Sequence, residues 1–219
     1  MATTRRDTLG ELVAGAVGDL AAAHAAREAA LVSCRRVIRS SGLAIRAVHR
    51  LEMESAAGLI SEAEGNLRSA QEALSPYPAV AHAGFLHDAE KEYVEAVATV
   101  ALVGGGAPPG PDRLHVGVPA WLNGLAEAAS ELRRHLLDRL REGSLDRAEE
   151  LLGAMDDVYD LVRTVDFPDA ITGGLRRTAD ALRAVLERSR ADVTTTVLQT
   201  RLQRAIEAER SAMMGDDER

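Results

Sequence analysis

Apolar residues recur along almost the whole chain at three- and four-residue intervals, the spacing that gathers them on one face of an α-helix. No stretch shows the period-two alternation of a convincing strand, and Ala, Leu, Arg and Glu dominate the sequence. The pattern predicts an all-α protein. A first long helix runs from about Thr8 to Leu51, with Gly42 as a point where it can break, and its inner stripe includes Leu31, Cys34, Val37, Ile38, Ile45 and Val48. A second spans about Met53 to Leu74 and stops at Ser75-Pro76-Tyr77-Pro78, because proline cannot continue a helix. A third covers about Val80 to Leu102. The run Gly104-Gly105-Gly106-Ala107-Pro108-Pro109-Gly110-Pro111 is a loop, after which Pro119 suits the first turn of a fourth helix reaching about Arg141.

Gly143-Ser144 precedes a fifth helix over about Leu145 to Thr164, with Ser144 as its N-cap. Asp166-Phe167-Pro168-Asp169 makes the next break. A sixth helix then runs to about Arg190, and a last one from near Ala191 to about Gly215. The loop after Gly104 could mark a domain boundary. Each half alone, however, would leave a long apolar stripe exposed, so a single domain is expected. Residues 27–204 form its body, residues 1–26 an extension or the start of the first helix, and residues 205–219 the end of the last helix with a polar tail. No internal repeat or heptad array stands out.

With 219 residues and 46% hydrophobic content the chain can fill one sizeable core, and with only 3% aromatics that core must be made of Ala, Leu and Val. The net charge of −8 argues against a protein that coats polyanions generally, while leaving room for a local basic groove. The single Cys34 rules out an intrachain disulfide and a cysteine zinc site. No apolar run approaches a membrane span, and Met1 to Arg6 is not followed by an apolar segment. A cytoplasmic location without membrane association is the expectation.

Two helical pairs of carboxylates carry the candidate chemistry: Glu92 and Glu95, and Glu127 and Glu131. Each pair shares a helix face. The neighbours there are small or apolar, among them Ala89, Ala96, Thr99, Asn123, Gly124 and Ser130, and Asp88 adds a further like charge one turn before Glu92. Such crowding requires a compensating cation, a raised pKa or full solvation. Lys91 with Glu95, and Arg134 with Glu131, are the ion pairs that full solvation would favour. The Asp156, Asp157 and Asp160 cluster lies among arginines and reads as a solvated face. Arg46, His49 and Arg50 form a basic end to the first helix, which fits either phosphate contact or pairing with the acids of the second helix. Arg133 and Arg134, just past Glu131, suit an approaching phosphate backbone. Trp121 reads as an anchor in a subunit contact or as a stacking surface for a base.

The run Leu114-His115-Val116-Gly117-Val118-Pro119-Ala120-Trp121-Leu122-Asn123-Gly124-Leu125, continuing into Ala129-Ser130-Glu131-Leu132-Arg133-Arg134, resembles the central segment of translin and translin-associated factor X. Gly143-Ser144-Leu145-Asp146, Val158-Tyr159-Asp160 and the stretch from Leu175 to Val193 are similar to later parts of the same family. Glu92-Tyr93-Val94-Glu95-Ala96 resembles the signature of the factor X branch, and the helix ending Val48-His49-Arg50 resembles prokaryotic members. The likeness runs from about Arg27 to Arg204.

This resemblance implies a seven-helix bundle, a closed homo-oligomer that is typically an octamer, and binding of single-stranded RNA or DNA. In the factor X branch it also implies a magnesium-dependent endoribonuclease whose catalytic acids fall on Glu92, Glu95 and Glu127. Glu127 stands where that branch usually has Asp and reaches one methylene further. A hard ion such as Mg2+ or Mn2+ needs only oxygen ligands, so Glu92, Glu95 and Glu127, with Glu131 as a fourth, form the expected metal set. The expected nucleic-acid contacts are Arg46, His49, Arg50, Arg133 and Arg134. The alternatives are a translin-like oligomer that binds single strands without cutting, and an acidic helical oligomer with an unrelated partner.

Overall fold

In a computed structural model, residues 4–216 are described; residues 1–3 and 217–219, which include the end of the expected polar tail, lie outside them. The described residues are helical almost throughout, with no strand. Six long helices, α1 (Arg5–His49), α2 (Met53–Leu74), α4 (Phe85–Val103), α6 (Val118–Arg141), α7 (Leu145–Val162) and α9 (Leu175–Asp216), alternate with three single turns, α3 (Pro78–Ala81), α5 (Pro111–Leu114) and α8 (Asp169–Thr172). The all-α expectation holds, and several element boundaries differ; Gly173 and Gly174, both at positive φ, separate the turn α8 from the start of α9. Gly42 does not interrupt α1, which is continuous for 45 residues. The expected third helix is divided by Gly84, whose φ of 97° only glycine adopts readily, so that α4 begins at Phe85. The sixth and seventh expected helices are one, because no Gly or Pro falls between Leu175 and Met213.

α1 and α2 form an antiparallel hairpin. Ala30, Cys34 and Val37 early in the pairing meet Leu67, Ala70 and Leu74, whereas Ala47 and Val48 meet Ala56 beside the turn. Tyr93, Ala89 and Ala96 bring α4 onto this hairpin. The opposite side of α4 meets α6, and α7 and α9 close a second core around Leu132, Leu136, Met155, Leu182 and Leu186. Ile38, placed on the inner stripe by the sequence pattern, is instead exposed. The buried positions of α1 fall at Ala30, Cys34, Val37, Ser41, Ala44 and Val48, alternating steps of four and three. Beyond the charged Arg27 the same alternation resumes through Ala23, Leu20, Ala16, Val13 and Leu9, a short heptad run. α2 has ended by then, and Leu9, Val13 and Leu20 are exposed.

Ala, Gly and other small residues at the helix contacts let backbones approach closely, most of all at Gly124. A Cβ there would lie 2.6 Å from the carbonyl oxygen of Lys91 and 2.8 Å from Cβ of Val94. The α4–α6 contact therefore tolerates no side chain at this position. Gly124→Ala should lower the thermal midpoint of unfolding, with about 1–3 kcal/mol lost to overpacking. Gly65→Ala, in the open interior of α2 with no atom within 4 Å of the new methyl, should raise it by about 0.5–1 kcal/mol. Circular-dichroism melts of the two variants check this contrast.

Candidate metal centre between two helices

Glu92 and Glu95 face α6 from one turn of α4, and Glu127 faces them from the turn after Gly124. One carboxylate oxygen from each of the three lies within 4.8 Å of the others. Oxygen ligands about 2.1 Å from a hard divalent ion stand roughly 3 to 4 Å apart around an octahedron, so this spacing closes on such an ion with small side-chain movements. The donor set is all oxygen and partly open, with Glu92 29% and Glu127 30% exposed, which leaves room for waters and a phosphate.

The crowded charge is offset by a cation and by raised carboxyl pKa values. Lys91 places its ammonium 2.8 Å from each oxygen of Glu127 and 3.7 Å from Glu92. Burial tends to lower the pKa of this ammonium, but the hydrogen bond and charge of Glu127, with Glu92 and Glu95 behind it, raise it overall. Burial pushes the Glu95 carboxyl up to about 8, and the charges of Glu127, Glu92 and Glu131 push the same way against Lys91. Burial likewise raises Glu92. The cluster as it stands therefore holds a protonated Glu95 near neutral pH.

Glu131 lies outside the three-oxygen group. It accepts a hydrogen bond of 2.7 Å from Nε2 of His49, whose Nδ1 shares a proton with Nε2 of His135 at 3.1 Å. Burial, with the charge of His49 adding to it, pushes His135 down to about 4, so its imidazole is neutral at pH 7. His49 thus joins the acid site rather than presenting itself as a separate phosphate contact. Arg50 forms a bidentate pair with Glu52, as the competing reading of the basic end anticipated. Arg133 ties α6 to α9 through Ser189 and Asp192. Arg46 and Arg134 are exposed and make no ion pair among the described residues. Arg46 lies one turn before His49, and Arg134 lines a shallow depression with Ser130 and Glu131.

Neither of the ion pairs considered for a solvated face forms: Lys91 turns to Glu127 rather than Glu95, and Arg134 leaves Glu131 to His49. Asp156 pairs with Arg190 and Asp160 with Arg163, in keeping with a solvated face. Trp121 donates to the carbonyl of Pro109 at 2.9 Å and so pins the proline-rich loop onto α6 within one subunit. The roles of two supporting residues escaped sequence reasoning. Glu90, buried, accepts from Gln71 and from the backbone N–H of Gly117, joining α2, α4 and the start of α6. Asn123 donates to the carbonyl of Thr172 and accepts from Thr178, holding α8 and α9 against α6. Each has an isolated polar side chain inside an apolar stripe as its only sequence signal.

No protein-family model matches the chain. Among solved structures it is similar to AfC3PO in a duplex RNA complex, with 32% identity and a TM-score of 0.76 over 86% of this chain and 96% of that one. The crystal structure of AfC3PO gives 31% identity and the same TM-score, covering 86% and 97%. Apo-NeC3PO shares the fold at 18% identity and a TM-score of 0.72, covering 90% and 99%. The uncharacterized protein MJ0175 of Methanocaldococcus jannaschii is 27% identical over 188 residues, 84% of this chain and 82% of its own.

The raised carboxyl has a stability consequence. Glu95 is neutral in both folded and unfolded states below its ordinary 4.5, and it destabilises the metal-free fold increasingly from there to about 8. Glu95→Gln should therefore melt like the parent at pH 4 and on the order of 5 °C higher at pH 8.5, without added metal. Paired thermal melts at the two pH values measure it.

Proposed function

This chain belongs to the translin family, to which the C3PO structures also belong, and from that premise we propose that it is a metal-dependent endoribonuclease of the factor X type. The observation that supports this reading is the convergence of Glu92, Glu95 and Glu127, the three positions to which the resemblance assigns the catalytic acids. RNA is the proposed substrate class because AfC3PO has been solved with duplex RNA; the family resemblance adds single strands, RNA or DNA, as the form bound. Glu92, Glu95 and Glu127 would hold Mg2+ or Mn2+ through one oxygen each. A bound ion of this kind neutralises charge at a scissile phosphate and lowers the pKa of a water. To serve as such a ligand Glu95 would be ionised, its proton passing to solvent. Glu131, held at one oxygen by His49, keeps the other free to accept a proton or a water. Of the basic candidates, the phosphate contacts narrow to Arg46 and Arg134, because Arg50 and Arg133 are engaged within the chain.

The exposed stripe of α1, Leu9, Leu12, Val13 and Leu20, and that of α9, Leu198, Leu202 and Ile206, support a homo-oligomer, with the octamer of the family resemblance as its expected size. Among the described residues no helix is long and apolar enough to cross a membrane. A second reading, binding of RNA without cleavage, draws on Lys91, which already neutralises part of the cluster with no ion bound.

Three measurements check these proposals. Purified protein should cleave single-stranded RNA with Mg2+ or Mn2+ and stop on chelation, and Glu92→Ala, Glu95→Ala or Glu127→Ala should each slow cleavage by about 100-fold or more. Cleavage unchanged in all three variants would overturn the enzymatic reading. Binding of Mn2+ between pH 6 and 8 should release a proton and tighten by up to about tenfold per pH unit, measured calorimetrically in buffers of different ionisation enthalpy. The doubly substituted Leu12→Glu, Leu20→Glu protein should show a smaller mass by light scattering than the parent if the α1 stripe is covered by another copy.

A further inference from the structure

The sequence pattern offers Lys91 only as a surface partner for Glu95, whereas the structure sets it inside the acid site against Glu127. Its ammonium sits between α4 and α6 rather than in solvent, with 22% of the side chain exposed. It grips both oxygens of Glu127 at 2.8 Å and stands 3.7 Å from Glu92. Burial opposes its charge, and the surrounding carboxylates more than restore it. This places a positive charge in the same space where divalent ions would gather.

We propose that Lys91 is the resident second cation of the site, so that the cluster takes one divalent ion rather than two. The proposal rests on the metal-site reading of Glu92, Glu95 and Glu127. Three ionised carboxylates against one ammonium and one divalent ion leave no net charge, whereas a second divalent ion would leave an excess of two positive charges in a half-buried space. Glu131 lies outside the three-oxygen group and has one of its oxygens held by His49. The ammonium is also a compact, mobile charge on a flexible stem, able to pass from Glu127 to a phosphate oxygen while the ion holds the carboxylates. Where an active site with two metal ions would set its second ion, this chain has a lysine.

Mn2+ binding to the intact oligomer, followed by calorimetry and by the electron-paramagnetic-resonance signal of free Mn2+, tests this directly. The parent protein should bind one Mn2+ per protomer at this site. Lys91→Met, which keeps the unbranched stem one atom shorter and removes the charge, should bind the first Mn2+ about tenfold more tightly or better at low ionic strength. Lys91→Arg should stay within about threefold of the parent. Lys91→Gln serves as a second neutral variant should the methionine disturb folding. A merely structural role for Lys91, holding Glu127 in place, predicts weaker binding in both neutral variants. Unchanged or weaker affinity there, or two ions per protomer in the parent, overturns the proposal while leaving the metal site standing. No binding in the parent or in any variant overturns the metal-site reading and this inference with it.

Discussion

The backbone contact at Gly124 sets the distance between α4 and α6, and the chemistry of the site follows from that distance. A Cβ would collide with the Lys91 carbonyl and with Val94, so the two helices meet backbone to backbone. Glu127 lies one turn further along α6, with Lys91, Glu92 and Glu95 opposite it on α4. The neighbours of Gly124 brace the same contact: Asn123 anchors α8 and α9 on one side, and Glu90 fastens the start of α6 to α2 and α4 on the other. The site is thus a property of a helix pair held from both sides.

Bringing four glutamates together in partial burial is unfavourable by itself, and the molecule distributes the compensation. Lys91 neutralises Glu127, Glu95 keeps its proton, and Glu131 is tied to a histidine pair. None of these is the arrangement expected of a solvated face, in which long side chains carry their charges into water and salt bridges contribute little. A fold that keeps such a cluster gives up stability for it, a feature that clusters at functional sites. The all-oxygen donor set, the partial opening to solvent and the exposed Arg46 and Arg134 nearby are consistent with a phosphate-bearing substrate.

The sequence made the helical class and the acid faces legible because both depend on local periodicity. The spacing marked the faces of Glu92 with Glu95 and of Glu127 with Glu131, and the family resemblance alone chose Glu127 over Glu131 as the third member of the group that the structure brings together. Contacts between distant residues were harder to read. Lys91 has a glutamate on the next turn of its own helix, and only the position of α6 shows that it turns to Glu127 instead. His49 looked like part of a basic helix end, yet its partners lie more than eighty residues away in Glu131 and His135. Arg133 looked ready for a phosphate until α9 arrived beside it with Asp192. Helix ends were missed for a different reason: at Arg190–Ala191 there is no residue that breaks a helix, and at Gly42 a single glycine is too weak to do so within 45 residues of packed helix.

The central claim is that the α4–α6 cluster is a site for a divalent ion. A crystal of this protein soaked in Mn2+, with data collected for the anomalous signal of the metal, tests it most directly. The account predicts one anomalous peak per protomer within about 2.0–2.3 Å of oxygens of Glu92, Glu95 and Glu127. No peak between α4 and α6 at millimolar Mn2+, with Lys91 still bridging Glu127 and Glu92, would contradict it.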